Sequence, residues 1–339
     1  LLVPFNVSHL WKTWSSYHLF QPANIWLAKP AFLDAFNPNG RIVSLATEGV
    51  HNTFFVTKGW TNPVPYAALR NALAPDSNVL WNIPSATVYA GRSLRRKNLI
   101  DGLLLAETTT GKKFATVSAF GEKLLSLQGV TTIISARAVN APNLTLDKTI
   151  QNSEVPLYLY TNASAAPHTY LAHHAVVSTT LSEAANAMRS DDFILGASAI
   201  VSKPFVLDNK QGGEAYITRK SDRHVTIEVR NNPSKAVLVL ADTFYPGWNA
   251  MVDNAKIEIF PVNIAQRGVL VPSGNHQVVF DYQPKSIIYG GIISALALTV
   301  AIILMGFPWL VSLFRTAPKA PVPDRDSFGN RGPTRTHKA

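Results

Sequence analysis

The sequence predicts an α+β protein: a mixed α/β domain, then an antiparallel β-sandwich, then one C-terminal transmembrane helix. Three observations carry this. Residues 286–314 contain no charged side chain, and the 19 residues 287–305 at their centre are about one hydrocarbon core long as a helix. From about 197 to 284, short runs of alternating apolar and polar residues recur between turn signals, the pattern of a two-sheet β fold. Residues 41–196 mix helical and strand periods, which predicts an α/β or α+β layer.

Charge supports the membrane reading and orients it. Asp, Glu, Lys and Arg make up 15% of the chain, against about 25% in an ordinary soluble domain. Lys285 precedes the apolar run, whereas Arg315, Lys319, Arg325, Arg331, Arg335 and Lys338 follow it. An excess of cations on one flank predicts that this flank is cytoplasmic and that residues 1–284 lie outside. Residues 315–339 are rich in Pro, Gly and charge and have little to bury, so they read as a disordered basic cytoplasmic tail. Those six cations, less Asp324 and Asp326, supply +4 of the net +10. The rest is thinly spread apart from Arg92, Arg95, Arg96 and Lys97. No nucleic-acid-binding module accompanies it, so nucleic acid is not an expected partner. The absence of cysteine excludes disulfides, thiolate metal sites and Cys nucleophiles.

The elements read in order as follows. The chain opens on Leu1 without a basic start, apolar run and small-residue cleavage site, and is expected to begin inside a longer protein. Residues 1–40 mix Phe5, Trp11, Trp14, Tyr17, Phe20 and Trp26 with Pro and Asn without a clean period, which suits a juxtamembrane connecting segment. In 41–196, the stretches 41–45, 53–56, 130–135, 157–160 and 169–177 read as strands. Stretches 65–74, 93–107 and 120–127 read as helices, the second with Leu94, Leu99, Leu103 and Leu104 as its apolar positions. Thr180 and Glu183 form a capping box opening a helix to about Arg189. In 197–284, seven strands are expected at 214–220, 224–230, 236–241, 248–252, 256–260, 267–271 and 276–282. Asp253-Asn254 and Ser273-Gly274-Asn275 are the hairpin turns.

Few residue groups are arranged to carry chemistry. His173 and His174 would face opposite sides of a strand and cannot share a metal. Asp191-Asp192 reads as a turn after a helix. Carboxylates are too scattered to nominate a glycosidase-like pair, and no phosphate loop, dinucleotide fingerprint or nucleophile elbow is present. No catalytic, metal or cofactor site is therefore expected. Two groups are candidate ligand sites. Asp242, Tyr245, Trp248 and Arg267 combine rings with hydrogen-bonding groups, as a sugar platform does. The same residues also read as a capped Pro246-Gly247 turn beside a core Trp. The second is Arg92, Arg95, Arg96 and Lys97, near Trp81 and Tyr89; on a helix Arg92, Arg95 and Arg96 share a face, and the group reads either as a contact for phosphate groups or as a solvated face.

The run 237–282 contains Asp242-Thr243-Phe244-Tyr245-Pro246-Gly247-Trp248, then Asn263, Arg267-Gly268 and Pro272-Ser273-Gly274. It closes on Pro284-Lys285-Ser286 at the apolar segment. This pattern resembles the C-terminal region of the YfhO family of bacterial membrane proteins. Asn78 to Ser85 with Tyr89, the stretch 124–135, and 157–160 with Asn162, Ala163, Pro167 and the helix 183–193 resemble further family segments. Val88-Tyr89-Ala90 stands where the family carries a Gly-Tyr-Asp type sequence. The resemblance implies a protein with many transmembrane helices, similar to GT-C type glycosyltransferases, which transfer sugars from lipid-linked donors outside the cell. Its catalytic carboxylate is implied in an early extracytoplasmic loop with no counterpart here.

On that basis this chain is expected in the bacterial cell membrane as an extracytoplasmic module. It would support or select substrate for envelope glycosylation catalysed upstream. The implied partners are the lipid bilayer, a lipid-linked sugar or envelope polysaccharide, and the N-terminal transmembrane region that precedes it. The alternative is a non-enzymatic anchored module that binds envelope polysaccharide or another membrane protein.

Overall fold

The computed structural model describes residues 23–30, 32–36, 40–59, 62–74, 76–87, 94–151 and 155–314. Residues through Gln283 form one compact unit and those from Pro284 a second. In the first unit the helices are α1 (Ala23–Leu27), α2 (Thr47–Lys58), α3 (Val64–Asn71), α4 (Arg95–Ala106), α5 (Ala119–Leu127) and α6 (Leu181–Arg189).

A four-stranded sheet opens the unit: β1 (Arg41–Leu45) pairs in parallel with β4 (Val130–Ser135). β7 (Leu157–Thr161) and β6 (Thr145–Ile150) follow antiparallel. Its strands β1, β4 and β7 are largely apolar because both faces are covered, whereas the edge strand β6 is mostly exposed. Val43, Ile133 and Tyr160 join a cluster with Ile100 and Leu104 of α4 and Leu124 of α5. On the other face Ile42, Ile134, Leu157 and Leu159 pack with Ala68 of α3 and with Ala72 and Leu73 just after it. Between these strands, β2 (Thr108–Thr110), β3 (Phe114–Val117) and β5 (Ala138–Asn140) form a small sheet of their own.

Two larger sheets follow. One is six-stranded, in the order β8 (Thr169–Ala172), β13 (Ala236–Thr243), β17 (Gln266–Val271), β16 (Phe260–Val262), β10 (Ser198–Val201), β9 (His174–Val177). The other is five-stranded and antiparallel, in the order β11 (Glu214–Lys220), β12 (His224–Asn232), β18 (Gly274–Tyr282), β14 (Trp248–Val252), β15 (Ala255–Ile257). The period-2 alternation of β13 shows how they meet. Ala236, Leu238 and Leu240 enter a core with Val225, Ile227, Val278 and Phe280 of the five-stranded sheet. Val237 and Val239 enter a separate core with Tyr170, Val201 and Val262. A strand buried on both faces has no polar alternation to show, which explains the unbroken apolar run 236–241.

The expected mixture of helices and strands is present, and several elements fall where the sequence places them. The α6 capping box forms, with Thr180 Oγ1 accepting from the Glu183 amide at 3.1 Å. Asp253 and Asn254 take positive φ of 49° and 68°, the pair of left-handed residues a tight hairpin needs.

Four expectations are corrected. Stretch 53–56 lies inside helix α2, where Phe55 is buried and stacks edge-on against Tyr66 of α3 at 5.1 Å; packing overrides the β preference of Phe-Phe-Val. Stretch 169–177 is two strands, broken at His173, whose buried ring pairs with Asn232 Oδ1 at 2.9 Å. Stretch 256–260 ends at Ile257, because Phe260 finds its burial in the other sheet. The change of texture near 197 is not a boundary in the fold, since β8, β9 and β10 share a sheet with β13, β16 and β17.

The second unit contains helix α7 (Lys285–Phe314). Its segment Lys285–Phe307, 23 residues, is long and apolar enough to cross a membrane, and none of it is buried in the fold.

Gly268 in β17 tests the sheet core. A Cβ there would lie 2.5 Å from Val262 Cγ1 and 3.0 Å from Phe260 Cε2. Gly268→Ala is expected to cost about 1–3 kcal/mol by overpacking, read as a lower urea midpoint with an unchanged slope.

Candidate functional site

The site grows from an irregularity in β13. Leu240 pairs with Arg267 of β17, but the next pair is Thr243 with Gln266, so three residues of β13 advance against one of β17. Such a bulge re-aims side chains, and here it releases Asp242 from the ladder. Arg41, the first residue of β1, donates through Nη2 to Asp242 Oδ1 and through Nη1 to the carbonyls of Ala241 and of Gln128 (2.9 Å). His168, just ahead of β8, places Nε2 2.9 Å from the same carboxylate oxygen. Lys220, the last residue of β11, lies 3.7 Å from Asp242 and 3.1 Å from His168 Nε2. One carboxylate of β13 thus gathers side chains from the ends of three other strands.

Burial alone would raise the Asp242 carboxyl. The His168 hydrogen bond and the charges of Arg41 and Lys220 outweigh it and hold the group far below the usual carboxylate range. Burial also lowers His168, the Asp242 hydrogen bond only partly opposing it, so the imidazole is neutral at pH 7. Nε2 then either donates to Asp242 or accepts from a cation, not both.

Beside this group is a cavity of about 260 Å³, bordered among others by Arg41, Lys97, Gln128, Asp242, Tyr245 and Arg267. Arg267 is buried, and its Nε donates to the Thr243 carbonyl at 3.0 Å. Its guanidinium lies 3.7 Å over the Trp248 ring and 5.7 Å from that of Tyr245. Lys97 reaches Asp101 and Gln128 Oε1 (3.4 Å). Burial lowers Arg267, Lys97 and Lys220 alike. Tyr245 also borders a second cavity of about 610 Å³, which Arg95, Arg96, Phe244, Thr179 and Thr180 line among others. The Tyr245, Trp248 and Tyr282 rings form a half-buried cluster with centroids 5.2–6.1 Å apart.

The structure therefore brings together Asp242, Tyr245, Trp248 and Arg267, the first candidate group. Arg95 and Arg96 reach the neighbouring cavity, with Arg96 Nη1 donating to the Ile264 carbonyl at 3.0 Å. Trp81 does not join them; it packs on the core beside α3. Tyr89 and Arg92 lie outside the described residues; Arg95 and Arg96 take consecutive positions of α4. The sequence reading placed Lys97 with the α4 arginines, and the structure puts it on the border of the cavity that holds Arg267. That reading missed Arg41, His168, Lys220 and Gln128 as site residues. Nothing in their local pattern marks them, since each acquires its partners only through the fold. Among the described residues no three His, Asp or Glu side chains assemble into a metal site.

Two outcomes follow from the geometry. Asp242 has a folded pKa below its ordinary 3.8, so its contribution is full above about pH 4 and is lost as pH falls below that; His168, held below 6.5, adds loss of stability as pH falls below about 6.5. Asp242→Asn is expected to flatten the acid limb of a stability-against-pH curve measured by urea unfolding. Trp248→Ala is expected to cost about 3 kcal/mol and Tyr245→Ala about 1 kcal/mol, read as shifts in thermal midpoint.

No curated protein and no solved structure matches this chain. Residues 206–294, which run from ahead of β11 through the bulge, Arg267 and the aromatic cluster into α7, match the model of the family described as bacterial membrane protein YfhO, and with the apolar α7 this makes the chain membrane-associated.

Proposed function

We propose that this chain is the C-terminal extracytoplasmic module of a YfhO-like polytopic membrane protein. It supports or selects substrate for cell-envelope glycosylation from a lipid-linked sugar donor, and catalysis resides in a part of the protein upstream of residue 1. The observation that carries this reading is the position of Tyr245. Its ring borders both cavities, is backed by Trp248 and Tyr282, and falls inside the stretch that matches the family. An aromatic face beside hydroxyls and fixed charges is what a saccharide's apolar face and hydroxyl rim require. The carboxylates of the site argue against catalysis here: Asp242 is held ionised by its neighbours, and among the described residues no second carboxyl borders the cavity with it.

The orientation that goes with this function puts residues 1–284 outside and the basic tail inside, in line with the cations that follow α7.

Two measurements test the reading. A reporter active only in the cytoplasm should work when fused after Ala339 and fail when inserted near Asn275; the reverse would overturn the orientation. The full chain in nanodiscs should bind envelope oligosaccharides without transferring sugar from a lipid-linked donor. Tyr245→Ala should weaken binding about five- to tenfold. Sugar transfer that disappears on changing one carboxylate of this chain would defeat the proposal.

A further inference from the structure

Arg267 is only 4% exposed, yet its five-donor guanidinium makes one hydrogen bond, through Nε to Thr243. Nη1 is buried without a partner among the described residues. Trp248 covers one face of the group, which fixes its plane. No carboxylate among the described residues forms an ion pair with it, since Asp242 is occupied by Arg41, His168 and Lys220, and Asp101 by Lys97. Counting the cavity and its immediate neighbours, Arg41, Lys97, Lys220 and Arg267 face two carboxylates, which leaves two positive charges uncompensated.

Helix α4 adds to the same imbalance. Its first turn carries Arg95, Arg96 and Lys97 and no acidic residue, and its N-cap, Leu94, supplies no capping side chain. The positive end of a helix dipole normally attracts anions and disfavours cations. Here three cations crowd it, with Leu94 and Lys97 on the border of the cavity that holds Arg267. Buried, under-bonded cationic donors around an open space are complementary to an anion.

We propose that the 260 Å³ cavity binds a phosphate group, with the Arg267 guanidinium as its principal donor and Lys97, which would share its charge between Asp101 and the phosphate, on the same wall. Arg41 is committed to Asp242 and two carbonyls and shapes the wall. A phosphate monoester carries about −1.5 to −2 at neutral pH, which matches two unbalanced cations better than a carboxylate does. At about 30 Å³ per water, the cavity holds a phosphate and a few waters, so whatever the phosphate esterifies must extend past Tyr245 into the larger cavity. That this substituent is a saccharide rests on the proposed function; the phosphate site itself does not.

The test is calorimetric titration of the full chain in phosphatidylcholine nanodiscs with inorganic phosphate, and with acetate as comparator. Phosphate is expected to bind and acetate to bind at least tenfold more weakly. Arg267→Gln should weaken phosphate at least tenfold, Arg267→Lys should restore part of the loss, and Lys97→Met should weaken it about fivefold, each in protein whose urea midpoint shows it folded. If Arg267→Gln fails to fold, Lys97→Met and Arg267→Lys carry the test. Absence of phosphate binding, equal affinity for acetate, or affinity unchanged in the folded variants would overturn the site.

Glucose 1-phosphate binding more tightly than phosphate identifies a phosphosugar source. Competition by phosphatidic acid in the nanodisc identifies a lipid headgroup, and either result supports the phosphate site. Phosphate binding that persists while oligosaccharides fail to bind would sink the glycosylation reading and spare this one.

Discussion

Asp242 is a carboxylate withdrawn from water, and a buried charge is tolerated only where its surroundings replace the lost solvent. The replacement comes from Arg41, which lies 201 positions earlier in the chain. The same guanidinium bonds the carbonyls of Gln128, after α5, and Ala241, in β13. One side chain thereby ties the helix-covered four-stranded sheet to the strand that sits between the two larger cores. Removing either member would take from the other its ion-pair partner across the two sheets, which is why the pair functions as a constraint on how these sheets dock. The bulge that frees Asp242 from its ladder, and the unbonded donors that result nearby, are consequences of the same arrangement.

The Trp248 ring shows how a structural and a functional role merge in one residue. Its neighbours Ala250 and Val252 are buried in the core shared by the two larger sheets, and the indole packs against that core from its margin. Its upper face carries the Arg267 guanidinium at 3.7 Å. A desolvated cation–π contact of this kind is worth about 2 kcal/mol, and it costs the protein no hydrogen-bond donor. The indole is therefore neither a bare plug nor a bare platform. It is the shelf on which a charged group is held flat, with Nη1 still unspent.

Much of the fold is legible in the sequence where the signal is local. The Thr180–Glu183 box, the Asp253-Asn254 turn, the β-branched run of β4 and the uncharged stretch of α7 each carry their own cause. Legibility fails where a long-range partner decides. Phe55 becomes helical because Tyr66 is there to receive it, and Phe260 leaves its hairpin because a second core takes its ring. The site divides the same way. Asp242, Tyr245, Trp248 and Arg267 lie within 26 positions of one another and stand out as a compositional cluster. Arg41, His168 and Lys220 are ordinary residues at strand ends that topology alone brings to the carboxylate.

The six-stranded sheet has a temporal consequence. Its two edges, β8 and β9, are adjacent in the chain across His173, while three of the four strands between them, β13, β16 and β17, lie beyond residue 235. During synthesis the 169–177 segment emerges well before the strands that separate its halves. Until the ribosome has passed about residue 243, β8 lacks the strand that pairs with it, and until about residue 271 that strand lacks its other neighbour. Apolar strand segments held open in this way invite wrong pairings, and such non-local closure is slow. The order in which the chain is read therefore makes this sheet the late step of folding and the point at which a nascent chain depends on being shielded.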